Sequence, residues 1–212
     1  QVQQGVVSVI CCGMLLIGRA SVAQGPGSGR VAGEQIPEGK NGQHAACEET
    51  AKEGIIMEEK INGILRRMTL EEKANLVHGA TYMETRAVER LDVPALKMCD
   101  GPHGVREGKA TCFPTGIGLG ATWNTNLLRE VGRALAQETL AKGRNIILGP
   151  CINIHRTPLG GRNFESFAED PYLAGALAVA YVQGVQGEGV GTSTKHFAAN
   201  NQECDRMSIS AE

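Results

Sequence analysis

Apolar and polar positions along the chain form short apolar runs that are followed by longer amphipathic segments. The short runs are residues 96–99, 145–150 and 191–197. Residues 126–142 and the segment after Asp170 place apolar side chains at helical spacing instead. Short apolar strands that alternate with amphipathic helices are typical of a parallel sheet. The pattern therefore predicts an α/β fold, and it fits a doubly wound sheet and a barrel equally well.

The predicted helices have recognisable ends and apolar faces. Thr69 followed by Glu72 matches a capping box, and Asp170 before Pro171 matches an N-cap with proline at the first helical position. Three apolar faces follow from the spacing: Leu70, Ala74, Leu76 and Val77 after Thr69; Leu128, Val131, Leu135 and Thr139 in residues 126–142; and Leu173, Leu177, Ala180 and Tyr181 after Asp170.

The first 50 residues differ from the rest of the chain. Residues 6–17 are an apolar run too short for a membrane span, which needs roughly 20 residues. Ser21 and Ala23 are small residues where a signal peptidase cuts, so we predict a signal peptide over residues 1–23, with an uncleaved anchor as the alternative. Residues 24–50 are predicted to be a linker that starts disordered, and residues 51–212 the ordered domain. Export would make the protein secreted or periplasmic.

Composition and charge exclude several function classes. The formal net charge is -2, which gives no reason to expect a nucleic acid or a stable membrane partner. The cysteines show no C-x-x-C pair, so a zinc cage is not expected, and no metal or organic cofactor is implied. The cysteines beyond the predicted signal peptide, whose pairing the sequence leaves open, are Cys47, Cys99, Cys112, Cys151 and Cys204.

Polar clusters lie near the predicted strand ends, where function gathers in parallel α/β folds. Asp100 opens the turn 100–106, where its carboxylate could accept hydrogen bonds from sugar hydroxyls or only tie down the turn. Arg162 could present its planar fork of donors to hydroxyls, with Glu165 as its partner, or belong to an ordinary surface loop. Lys195 and His196 lie near the end of the third apolar run, and alone they are weak evidence for a site.

A glycine-rich segment over residues 116–120 invites comparison with a phosphate-binding loop. The Lys-Ser/Thr pair of a Walker motif is absent, and the spacing does not match the dinucleotide-binding fingerprint. We therefore interpret these glycines as positions of close backbone packing, and a nucleotide-binding module is not supported.

In their order and spacing, these segments resemble glycoside hydrolase family 3, in its β-glucosidase and β-xylosidase branch. The resemblance covers about residues 68–212, and the segments that carry it are 68–73, 100–106, 113–115, 121–124, 149–150 with 153–154, 161–166, 169–173 and 195–197. An N-acetylglucosaminidase branch of the family typically follows Lys-His-Phe with Pro-Gly-His, whereas this chain continues Ala-Ala-Asn-Asn. The continuation favours the glucosidase branch.

The resemblance implies a retaining hydrolase that acts on the non-reducing end of β-glycosides or β-linked oligosaccharides. It also implies an N-terminal (β/α)8 barrel of the TIM type, of which this chain would form the N-terminal half. Carried over residue by residue, the family's binders of the terminal sugar correspond to Asp100, Arg162, Lys195 and His196. Two further residues, Arg206 and Met207, lie in a region that lines the same pocket in some members.

The family's catalytic carboxylates have no counterpart in the chain. The nucleophile of the family is an Asp on a later barrel strand, and the acid/base of this branch is a Glu from a downstream domain. A retaining mechanism needs both, about 5 Å apart. We therefore expect the 212 residues to belong to a longer enzyme and to be inactive alone, with Glu203 and Asp205 in the wrong context to replace them. The alternative is a non-catalytic sugar-binding protein or a pseudogene product.

Overall fold

A computed structural model describes residues 40–197 and 200–208, with side chains from Gly54 onwards. The predicted signal peptide and residues 24–39 of the predicted linker lie outside the described residues. The chain divides into two compact units at the boundary between Ala74 and Asn75.

The first unit is helical where it is described. Helix α1 spans Lys40–Arg67, so it begins inside the predicted linker. The physical reason is local composition, because residues 43–60 are rich in Ala, Glu and Lys, which favour a helix. None of the described helices is long and apolar enough to span a membrane.

Helix α2, Leu70–Val77, confirms the predicted capping box. The Thr69 amide donates to Glu72 Oε2 at 2.8 Å, and the Glu72 amide donates to Thr69 Oγ1 at 3.1 Å. The predicted apolar face of this helix is wrong: Leu70 is 75% exposed and Val77 is exposed, whereas Leu76 is buried. At about 100° per residue, Leu70, Ala74 and Val77 share one face and Leu76 lies on the other, so the prediction merged two faces.

The second unit is built on three parallel strands in the order β1-β2-β3, and this confirms the predicted α/β fold. Strand β1 spans Met98–Asp100, β2 spans Ile146–Leu148 and β3 spans Gly191–Thr192. Cys99 is paired with Ile147, and Ile147 with Thr192. The remaining described elements of this unit are two 3₁₀ helices, Glu89–Leu91 and Asn163–Glu165, and helices α3 (Gly116–Gly120), α4 (Thr125–Ala141) and α5 (Pro171–Gly187).

The third strand is shorter than the predicted residues 191–197. Beyond Thr192 the pairing continues only as a single parallel bridge between Lys195 and Cys151. Pro150 lies opposite this segment and accepts a hydrogen bond from the Lys195 amide through its carbonyl. Because proline has no amide hydrogen, Pro150 cannot donate a hydrogen bond to the neighbouring segment, and the regular ladder ends here.

The core lies between the sheet and helices α4 and α5. The predicted face of α4 is confirmed, because Leu128, Val131, Leu135 and Thr139 are all buried. Asp170 caps α5 as predicted, accepting hydrogen bonds from the amides of Tyr172 and Leu173. Leu177, Ala180 and Tyr181 of α5 are buried against the same core, as predicted, and Leu173 packs against it partly buried.

Helices α4 and α5 approach each other through glycines. A Cβ added at Gly184 of α5 would lie 2.2 Å from the carbonyl oxygen of Arg129 in α4. In the other direction, a Cβ at Gly132 would lie 2.5 Å from the carbonyl oxygen of Tyr181. The two backbones therefore touch at positions where only a hydrogen atom fits.

The glycine-rich segment 116–120 confirms close backbone packing. A Cβ at Gly116 would lie 2.0 Å from the Glu165 carbonyl oxygen, and one at Gly120 would lie 2.0 Å from that of Phe167. Helix α3 is thereby held against the chain that carries Arg162 and Glu165, so these glycines help to position that loop.

Candidate functional site

The carboxyl ends of the three strands bring together residues that are far apart in sequence. Asp100 is the last residue of β1, and Lys195 lies just beyond β3. Asp100 Oδ1 accepts a hydrogen bond from Lys195 Nζ at 2.8 Å. Its Oδ2 accepts from Arg106 Nη1 at 2.9 Å. Asp100 therefore does more than tie down its own turn, because its carboxylate joins two cationic side chains.

Arg162 and Glu165 form a second pair beside the first. Arg162 Nε donates to Glu165 Oε1 at 2.7 Å and Nη2 donates to Oε2 at 2.9 Å, so the contact is bidentate. The two side chains are 22% and 11% exposed. The predicted partnership is confirmed, and it is mostly buried, unlike an ordinary pair on a surface loop.

Glu203 connects this pair to Arg206. Its Oε2 accepts from Arg206 Nη1 at 3.0 Å, and its Oε1 lies 3.7 Å from Arg162 Nη1. Arg206 is therefore linked to the cluster through a carboxylate. Met207 is 90% exposed, and none of the contacts among the described residues brings it to Arg162 or Asp100.

His196 is oriented by two asparagine side chains. Its Nδ1 lies 2.8 Å from Asn153 Oδ1 and 3.0 Å from Asn200 Nδ2, and its backbone amide donates to Asn153 Oδ1 at 3.0 Å. The peptide bond between Lys195 and His196 is cis. Asn153 follows β2, so this ring is held in place by the end of the neighbouring strand.

A cleft of about 290 Å³ opens beside these pairs. Its volume is close to the lower end of the range for small-molecule sites. Asp100, Arg106, Arg162 and Glu165 supply charged groups to its wall. The rest of the wall is formed by the turn after β1 and by the ring of Phe164. The Phe164 ring meets the His103 ring edge to face, with 6.1 Å between the ring centroids. The cleft thus offers hydrogen-bond donors, acceptors and one aromatic ring to a small polar ligand.

The charges of the cluster keep its carboxylates ionised. Burial by itself would raise the pKa of Asp100, but the hydrogen bond and positive charge of Lys195 outweigh it, and the pKa lies below its usual value. Burial likewise opposes ionisation of Glu165, and the hydrogen bonds from Arg162 lower its pKa overall. Burial also lowers the pKa of His196, and the nearby charges of Arg162 and Lys195 lower it further.

The lowered pKa of His196 predicts a loss of stability in mild acid. Between the folded-state pKa and about 6.5 the unfolded chain binds more protons than the folded one, so the free energy of unfolding falls as the pH drops through this window. Urea unfolding at about pH 7 and about pH 5 measures this slope. In His196→Gln the slope should become shallower, and an unchanged slope would contradict the assignment to His196.

Several members of the cluster were not among the predicted site residues. Arg106 and Asn153 lie in segments that carry the family resemblance. Their positions shortly after predicted strands are the signal that could have identified them as site residues. The sequence gives no catalytic role to Glu203, and its contact with Arg162 joins two segments that no local pattern connects. Cys151 carries no signal in its spacing, yet its Sγ lies 3.2 Å from Glu165 Oε2.

Comparison with known proteins identifies the family of this chain. Residues 35–206 match the model of the glycosyl hydrolase family 3 N-terminal domain. Thermostable beta-glucosidase B of Acetivibrio thermocellus is 48% identical over 162 residues, and an exo-alpha-(1->6)-L-arabinopyranosidase of Bifidobacterium longum is 46% identical over 169. These alignments cover 70% and 73% of this chain.

Solved structures show the same relationship. A glycoside hydrolase family 3 beta-glucosidase of Bifidobacterium adolescentis is 52% identical with a TM-score of 0.64, covering 67% of this chain and 21% of that one. Beta-glucosidase 3B of Thermotoga neapolitana, solved with alpha-D-glucose, is 44% identical with a TM-score of 0.62, covering 68% and 24%. The chain spans 22% of the length of each of the two relatives named above. With most of its length matched by the family model, the chain belongs to glycoside hydrolase family 3.

Proposed function

We propose that the cluster around Asp100 binds the terminal, non-reducing sugar of a β-glycoside in a protein that hydrolyses that bond with retention of configuration. Family membership supports glycoside hydrolysis, and the β-glucosidase relatives support a glucoside as substrate. Glucose is the ligand named for one of the structural neighbours. The β-linked substrate itself is inferred for this chain by analogy with these proteins.

The observation that carries the proposal is the Asp100 carboxylate, held between Lys195 and Arg106 at the wall of the cleft. A carboxylate accepts hydrogen bonds from two neighbouring hydroxyls, and charge-assisted bonds are roughly twice as strong as neutral ones. Lys195 and Arg162 bring donors to the same place, so a polyhydroxylated ring would find both kinds of partner.

We further infer that the three parallel strands belong to the N-terminal half of a (β/α)8 barrel that begins near residue 51. In such barrels the site is built from loops at the carboxyl ends of the strands. The positions of Asp100, Asn153 and Lys195 support this inference, because each lies at or beyond the carboxyl end of a different strand.

The cluster accounts for binding and not for bond cleavage. A retaining hydrolase needs a nucleophile and an acid/base about 5 Å apart, flanking the scissile bond. Asp100 and Glu165 are each held ionised by a cationic partner in the described structure, so neither carries the proton that the acid must donate. We therefore propose that the 212-residue chain alone binds sugar and does not release aryl alcohol from an aryl β-glucoside.

Substitution of Asp100 tests this function. The 212-residue chain is expected to bind glucose with a Kd of about 1 mM, and Asp100→Asn should weaken binding at least about tenfold because the charge of the acceptor is lost. NMR shift perturbation on titration with glucose measures both affinities.

Asp92→Asn is the matched control, since Asp92 is exposed, lies outside the cluster and loses the same charge. It should bind glucose as the parent does. Equal binding by Asp100→Asn and the parent would refute the sugar-binding role of Asp100. Hydrolysis of the aryl β-glucoside by the 212-residue chain would refute the proposal that this chain binds sugar without turnover.

A further inference from the structure

Three side chains of the kinds that bind metal ions meet beside Arg162, which lines the cleft. Cys151, Glu165 and His196 each offer one ligand atom, and these atoms all lie within 4.8 Å of one another. Cys151 follows β2, Glu165 ends the second 3₁₀ helix and His196 follows β3, so the three come from separate segments. Their spacing in sequence matches no metal-binding motif, and for that reason the sequence shows no sign of the group.

The thiol is the most enclosed member. Cys151 is 1% exposed, and its Sγ donates to Glu165 Oε2 at 3.2 Å. Burial, followed by the hydrogen bond to Glu165, raises its pKa to about 12, so without a metal it is a neutral thiol. The thiol and the carboxylate are thus already in contact, and a cation that replaces the thiol proton would meet both.

The imidazole is already oriented as in metal sites. Metal-binding histidines commonly use one ring nitrogen for the metal, while the other is fixed by an oxygen of a neighbouring group. In this chain His196 Nδ1 lies 2.8 Å from Asn153 Oδ1, and Asn153 also binds the His196 amide. Asn153 therefore holds the ring beside Cys151 and Glu165 in one defined orientation.

We propose that Cys151, Glu165 and His196 form a binding site for one thiophilic divalent cation of the Zn²⁺ or Cd²⁺ class. Binding forms a bond between the metal and Cys151 Sγ, and the thiol proton passes to solvent, so no group is oxidised or reduced. One sulfur, one nitrogen and one oxygen ligand match the preferences of Zn²⁺, whose tetrahedral shell would leave a fourth position for water.

Arg162 determines which cations the site selects. Its guanidinium occupies both oxygens of Glu165, so the carboxylate is largely neutralised before any metal arrives. Mg²⁺ and Ca²⁺ depend on oxygen ligands and gain little here. A soft cation gains most of its affinity from the thiolate and the imidazole, so the site should discriminate strongly by softness.

Occupation of this site would affect sugar binding. Glu165 lines the cleft, and a cation on it would compete with Arg162 for the same carboxylate. This consequence rests on the proposed function, because it requires that Arg162 and His196 contact the sugar. A cation bound by Cys151, Glu165 and His196 should then lower the affinity for glucose.

Calorimetric titration of the 212-residue chain with CdCl₂ tests the site. We expect one Cd²⁺ to bind with a thiolate-to-metal absorption band, and Cys151→Ser to weaken this binding at least about tenfold. The control is the double variant Cys112→Ser/Cys204→Ser, which removes two exposed thiols and should keep the site. Unchanged affinity in Cys151→Ser, or loss in the control alone, would overturn the proposal.

Two further measurements separate the possible outcomes. Should Cys151→Ser fail to fold by circular dichroism, His196→Gln decides instead, since it must also weaken Cd²⁺ binding. Titration of Cd²⁺ with and without glucose then tests the competition. Cd²⁺ binding that is lost in Cys151→Ser but insensitive to glucose would support the metal site and count against the proposed sugar function.

Discussion

Gly184→Ala is expected to lower the free energy of unfolding by about 3 kcal/mol, because its Cβ would lie 2.2 Å from the Arg129 carbonyl oxygen. The obstructing atom belongs to the backbone of α4, so no side chain can rotate away. Helices α4 and α5 would have to separate, and Leu128, Leu135 and Leu177 between them would lose contact.

Gly175→Ala provides the matched comparison in the same helix. Gly175 lies on the exposed side of α5, with no atom within 4 Å of an added Cβ. Alanine should therefore raise the free energy of unfolding by about 0.5–1 kcal/mol, through its higher helix propensity. Urea denaturation of both variants measures the difference, and effects of the same sign would show that the close approach of α4 and α5 is wrong.

Arg162→Ala is expected to lower the free energy of unfolding by about 3 kcal/mol, because it leaves the Glu165 carboxylate mostly buried without its bidentate partner. The loss arises less from the attraction that disappears than from the uncompensated charge that remains. Glu165→Gln in the same background should recover part of the loss, since it removes that charge.

Arg133→Ala is the control for this prediction. Arg133 also bridges two carboxylates, those of Glu130 and Glu188, but it is 47% exposed and solvent screens its charge. Its loss should be below about 1 kcal/mol. Chemical denaturation at one pH compares the two variants, and equal losses would mean that the Arg162–Glu165 pair is as well solvated as a surface pair.

Helices whose two sides differ clearly in polarity could be predicted from sequence. The buried face of α4 and the cap at Asp170 follow from spacing and local chemistry, and both are confirmed. Helix α2 shows the limit of that reasoning. It has eight residues, apolar side chains occur on both of its faces, and only tertiary packing decides that Leu76 is buried while Leu70 is exposed.

The candidate site was predictable only where its contacts are local or where the family motif marks them. Arg162 and Glu165 are three residues apart, so a pair could be expected from spacing alone. The contacts of Asp100 with Lys195 and of Arg162 with Glu203 join distant segments, and no periodicity encodes them. The arrangement of Cys151, Glu165 and His196 depends in the same way on how three loops fold over the ends of the strands.

The ion pair between Asp100 and Lys195 closes a loop of 95 residues. Closing a loop of that length costs chain entropy, and this cost is offset only after the intervening segments have packed. The pair is therefore expected to form late in folding, after α4 and α5 have packed on the sheet. A ligand that bridges Asp100 and Lys195 can bind only when the second unit is fully folded. Its binding free energy therefore adds to the free energy of unfolding of that entire unit.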